Sequence, residues 1–99
     1  QFNLEFRVAD SAASPWLALG ALVWAGVDGL KRTLDLGSEG PPLPATLSAA
    51  LDALAASPQA KEWMGPVFHD AYLVHKRGEL AGLEGLSETA QCDLYAETY

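Results

Sequence analysis

Residues 14–37 read SPWLALGALVWAGVDGLKRTLDLG, and the spacing of their apolar side chains decides the fold class. Ser14 followed by Pro15 opens a helix: serine suits the N-cap, and a proline in the first turn loses no hydrogen bond. Beyond it Trp16, Leu19, Val23, Val27, Leu30 and Leu34 recur at helical spacing, with Leu17 and Trp24 as a second stripe. A helix apolar on so many sides is expected to be buried on several of them. Gly20, Ala21, Ala25, Gly26 and Gly29 keep part of its surface small enough for another backbone to approach. Asp28, Lys31, Arg32 and Asp35 mark where it meets solvent, and Gly37 is the expected residue just past its end. The helix is therefore placed at 15–36.

Downstream, residues 37–45 form a linker whose core, SEGPPLP, is held extended by three prolines. A second helix is expected from Thr46, its N-cap, to Ala56, with Leu47, Ala50, Leu51 and Leu54 as its stripe. Ser57-Pro58 repeats the opening signal for a short turn through Lys61, Trp63 and Met64, and Gly65-Pro66 breaks it. A fourth helix follows from about Val67 to Leu80 or further, with Phe68, Ala71, Tyr72 and His75 expected inside. A last one spans Glu88 to Tyr99. Residues 46–99 thus read as a helical segment, and the whole as mainly α: four to five helices around a long central one.

Upstream, Phe2, Leu4, Phe6 and Val8 alternate with Asn3, Glu5 and Arg7, the pattern of a short N-terminal strand within residues 1–9. One strand cannot satisfy its own backbone donors and acceptors. It is expected to pair with a second copy or with the rest of a larger sheet, which suggests a piece of something longer.

Composition narrows the functional classes. Alanine and leucine fill a third of the 99 positions, valine is sparse and isoleucine is absent, which favours helix over sheet. A chain of this length allows one domain. Thirteen acids against six bases give a net charge of −7, and no base follows Arg77. Such a surface repels phosphate backbones and anionic lipid heads, so no nucleic acid and no membrane is expected as partner. The longest apolar stretch, Ala12 to Val27, falls short of the roughly 20 residues that span a bilayer. No basic segment precedes an apolar run as in a secretory leader. Cys92 alone forms no internal disulfide and no zinc cluster, which suits a cytoplasmic setting.

Few residues suggest chemistry. Glu5 and Arg7 share the polar face of the strand, about 7 Å apart along it. The carboxylate could serve as a hard ligand to a metal, and the guanidinium could neutralise phosphoryl oxygens. Spacing alone favours a cross-strand salt bridge on a solvated face. His69 and His75 lie six apart, a poor match to a two-histidine metal site. His75 falls on the apolar side of its helix and His69 is expected outside. Lys76 and Arg77 read as a solvated face, pairing with Glu79 or Asp70. Ser11 and Ser14 have no neighbouring histidine and aspartate and read as capping groups.

Leu4-Glu5-Phe6-Arg7, then Ala9-Asp10-Ser11-Ala12-Ala13-Ser14-Pro15-Trp16-Leu17-Ala18-Leu19, then Ala25-Gly26-Val27-Asp28-Gly29-Leu30, resemble the glutamine synthetase family. In that family a strand ending E-x-R precedes D-x-(S/A)-A-N-P-Y-L-A-L and a helix bearing A-G-(L/I)-(D/E)-G-(I/L). Leu43-Pro44 through Leu54 resembles its L-P-x-S-L-x-E-A-L-D-A-L helix. Phe68, Tyr72 and Lys76-Arg77-Gly78-Glu79 resemble F-x-x-x-Y-x-x-x-K-R-x-E. The chain departs at Ser14 for asparagine, at Trp16 for tyrosine, and at Ala90-Gln91 where the family often has Trp-Glu. The middle and end look closer to the γ-glutamylpolyamine-type ligases than to the nitrogen-assimilation enzymes.

The resemblance implies the C-terminal part of a catalytic domain, its strand an edge of the catalytic barrel. It implies an ATP-dependent ligase in which a glutamate γ-carboxylate is phosphorylated and the acyl phosphate is attacked by ammonia or an amine. Mg2+ or Mn2+ would bridge the ATP phosphates. Glu5 falls on the family's metal-ligand glutamate, and Arg7 on the catalytic arginine that contacts phosphoryl and carboxylate oxygens. The other metal ligands and the nucleotide site have no counterpart in the chain. It is therefore expected to be inactive alone, with no cofactor bound, and to need the remainder of the catalytic domain; the parent would be a homo-oligomer. The alternative is a free-standing helical module with a structural or oligomeric role, its strand covered by a second copy.

Overall fold

The computed structural model describes residues 3, 5, 6, 9, 13–35, 37, 40 and 42–98. Among these the chain is mainly α, with five helices: α1 (Pro15–Lys31), α2 (Leu47–Ala55), α3 (Pro58–Met64), α4 (Pro66–Gly82) and α5 (Glu88–Thr98). No strand occurs among the described residues. Phe2, Leu4, Arg7 and Val8, on which the expected strand largely rests, lie outside them. The chain divides into two compact units, Gln1–Pro41 and Pro42–Tyr99.

In the first unit, α1 opens on Pro15 as the sequence predicts. Ser14 occupies the N-cap position without a side-chain cap; its carbonyl accepts from Ala18 N–H at 3.0 Å instead. The helix ends at Lys31, short of the expected Leu36. Arg32 caps it, Thr33 N–H donates to Leu30 O at 3.2 Å and Leu34 N–H to Gly29 O at 3.0 Å. These two bonds, with Thr33 at φ +52, form a Schellman turn in which threonine takes the place usually given to glycine. Gly37 is therefore not the stop. No residue of α1 is buried: Trp16 is 82% and Leu30 83% exposed. The expected burial is absent because α1 is the one helix of its unit among the described residues, and a lone helix cannot cover its own apolar stripe.

In the second unit α2, α3 and α4 pack on one another. Both side-chain caps foreseen there form: Thr46 Oγ1 accepts from Ala49 N–H and Ser57 Oγ from Ala60 N–H, each at 3.2 Å. Gly65, at φ +77, turns the chain between α3 and α4, a conformation that a Cβ would strain. Pro66 then begins α4. Leu51, 3% exposed, is the buried apolar residue among those described, and its burial contributes roughly 2 kcal/mol. Its buried companion is polar: His69, 2% exposed.

Candidate functional site

Glu5 is exposed and is itself in no regular secondary structure, while Arg7 lies outside the described residues. The proposed pairing of the two therefore has no geometry here. No group of three or more His, Cys, Asp or Glu side chains among the described residues could hold a metal ion. Magnesium takes an octahedral shell of oxygen ligands, several of them water. Glu5 fits such a site as one carboxylate ligand, and the described residues do not complete a three-ligand set.

What the structure does bring together is a cluster on α2, α3 and α4. The His69 ring lies with Nδ1 2.8 Å from Asp70 Oδ1 and Nε2 3.2 Å from the Leu54 carbonyl. Lys61 Nζ donates to both Asp70 oxygens, at 2.9 and 3.1 Å. The hydrogen bond from His69, then that from Lys61, holds the Asp70 carboxyl below its usual range. Both ring nitrogens of His69 are engaged and the ring is buried, so it cannot reach a substrate; the cluster fastens helices.

The sequence expectation for the two histidines is reversed. His69, expected outside, is buried, and His75, expected inside, is exposed, with Nε2 2.9 Å from Glu79 Oε1. Phe68 and Ala71 are also exposed, and Tyr72 is half-buried against Phe68, ring centroids 6.1 Å apart. Lys76 does pair with Glu79, at 2.7 Å, as the sequence suggests. Arg77 reaches Asp52 on α2 at 3.2 Å, while Asp70 goes to Lys61. Nothing in the spacing pointed to Lys61 or to the Leu54 carbonyl. The one available signal was Ser57-Pro58, which turns α3 back beside α4.

The family model for the glutamine synthetase catalytic domain matches residues 1–95. The chain is 32% identical to a gamma-glutamylpolyamine synthetase of Streptomyces coelicolor over 98% of its own length and 24% of that protein. It is 30% identical to a glutamine synthetase of Methanocaldococcus jannaschii, over 78% of this chain and 21% of that one. Over a shorter stretch, 35% of the chain and 7% of the relative, it is 52% identical to a Helicobacter pylori glutamine synthetase. No solved structure matches. A helical chain whose residues align throughout with one catalytic domain is defined by that domain's family. It belongs to the glutamine synthetase family, and it spans a quarter or less of the length of these curated relatives.

Proposed function

We propose that these residues are part of an ATP-dependent carboxylate–amine ligase, which joins glutamate to ammonia or an amine through an acyl phosphate. The observation that carries the reading is the family match across residues 1–95, which includes the E-x-R pair Glu5 and Arg7. In this reading Glu5 is a ligand of the Mg2+ or Mn2+ that serves ATP. Arg7 is the catalytic residue that neutralises the phosphoryl and carboxylate oxygens as charge builds. The similarity to a gamma-glutamylpolyamine synthetase over 98% of the chain supports a polyamine as amine acceptor beside ammonia.

The chain belongs, in this proposal, to a single catalytic domain whose remainder supplies the other ligands and the nucleotide site. By itself it is inactive. The parent is a cytoplasmic homo-oligomer, a setting that a lone Cys92 supports. No helix among the described residues is long and apolar enough to cross a membrane.

Glutamate-dependent phosphate release from ATP, with ammonia or putrescine as acceptor, tests this. The 99-residue chain alone should show none. In a ligase containing these residues, Glu5→Ala should lower kcat at least a hundredfold at fixed Mg2+ with folding unchanged by circular dichroism. Full activity with unaltered metal dependence would remove Glu5 from the metal site.

The free-standing helical module remains as a second reading because α1 leaves Trp16 and Leu30 uncovered. Sedimentation separates it: a module of that kind is a dimer or larger in solution.

A further inference from the structure

Residues 41–44 read Pro-Pro-Leu-Pro, and the local physics of those residues leaves the backbone little choice. Each proline ring fixes φ near the value of the left-handed polyproline helix. A following proline also disfavours the helical region, which directs Gly40, Pro41 and Leu43 to extended backbone. Pro42, Leu43 and Pro44 accordingly lie in no regular secondary structure, and all three are exposed. Leu43, 68% exposed, is a large apolar side chain left facing water at the start of the second unit.

A polyproline helix turns once in three residues and rises roughly 3.1 Å at each, so Pro41 and Pro44 fall on one edge about 9 Å apart. Pro42 and Leu43 occupy the other two edges. Pro41 and Pro42 also lie ahead of the stretch, Leu43-Pro44 onward, that resembles the family's next helix. The ligase reading therefore gives the proline pair no task.

We propose that residues 41–44 are a docking segment for a partner protein, read as a preformed polyproline helix by an aromatic-lined groove with a basic rim. Aromatic side chains make the groove because flat rings pack against proline rings and against an exposed leucine. A segment already held in its bound conformation forfeits little conformational freedom on docking. The rim follows from charge. Between Thr33 and Ala60 the chain has Asp35, Glu39 and Asp52 and no lysine, arginine or histidine. Asp35 and Glu39 come shortly before Pro41, so a groove edged by lysine or arginine is attracted and one edged by acids is repelled. The segment stands apart from the ligase chemistry, since it uses neither Glu5 nor Arg7, and its failure would leave that reading intact.

A WW domain with basic residues beside its aromatic groove serves as the probe. Labelled with 15N and titrated with the unlabelled 99-residue chain, it should show saturable shifts confined to that groove. No shift at about 1 mM chain overturns the proposal. Pro41→Ala/Pro44→Ala keeps the length of the segment and frees its backbone. This variant should weaken binding at least about tenfold, with helix content unchanged by circular dichroism. Equal affinity for it would place the contact elsewhere on the chain and also overturn the proposal. Asp35→Asn/Glu39→Gln tests the rim: binding should weaken about threefold or more and depend less on salt. Unchanged affinity and salt dependence would overturn the basic-rimmed groove as the occupant.

Discussion

Asp70 shows how much one exposed side chain can depend on its neighbours. It lies beside a buried ring on its own helix and an ammonium group from α3, and both hold its carboxyl below the ordinary carboxylate range. A carboxyl whose proton affinity is lowered by folding contributes stability above its unfolded titration range. That contribution is lost as pH falls through the lower, folded value. The unfolding midpoint of the natural chain should therefore decline as pH falls below about 4, the ordinary aspartate value, and Asp70→Asn should flatten that decline. Urea titrations of both proteins at stepped pH check it; parallel curves would mean that the ion pair contributes nothing in solution. The residue scale is also where sequence reading is weakest. Phe68 and Tyr72 draw the eye as the apolar stripe of α4, which puts His75 inside and His69 outside. The less exposed positions are instead His69, Tyr72, Leu73, Lys76, Glu79 and Leu80, a stripe rotated by about one residue. A histidine that is hydrogen-bonded at both nitrogens counts as polar in any hydropathy pattern yet packs as core.

Elements were more readable than residues, and their ends less than their interiors. Thr46 and Ser57 act as caps because a short hydroxyl before a helical run can reach the N–H three residues on, a local interaction that needs no tertiary context. Pro58 and Pro66 begin α3 and α4 for a similarly local reason. The far end of α1 is not legible in its pattern, since apolar spacing continues through Leu34 while the backbone has already turned at Thr33. A β-branched residue in the left-handed region is strained, and glycine there is not. Thr33→Gly should accordingly stabilise the first unit. Relief of roughly 1–2 kcal/mol of left-handed strain is partly offset by roughly 0.5–1 kcal/mol of added unfolded-chain entropy, which leaves a gain of about 0.5–1 kcal/mol. Helix content followed by circular dichroism during thermal unfolding measures the gain. A loss on substitution would show that the chain does not turn at Thr33.

At the scale of the whole molecule, the family was legible because its motifs cluster in residues 4–30, but the catalytic centre was not. The roles proposed for Glu5 and Arg7 depend on ligands that the same proposal draws from the rest of a catalytic domain. The same proposal bears on α1. Trp16, Trp24 and Leu30 are the kind of side chains that a catalytic domain buries, and here they face water, Trp24 being 45% exposed. Truncating a fully buried tryptophan costs about 3–5 kcal/mol, because transfer free energy and a cavity add. Truncating one that is half solvated forfeits little transfer energy and leaves no sealed cavity. Trp24→Ala should thus cost the 99-residue chain about 1 kcal/mol or less, and a complete ligase containing it about 3–5 kcal/mol. Urea unfolding of both proteins, with and without the substitution, gives the comparison. Equal small losses would mean that α1 stays solvated in the ligase, and the domain proposed to cover it would have to pack elsewhere. Equal large losses would mean that this helix is already covered within the 99 residues, by self-association or by its own unit. Only the unequal pair fits a helix whose apolar surface is made for the rest of a catalytic domain.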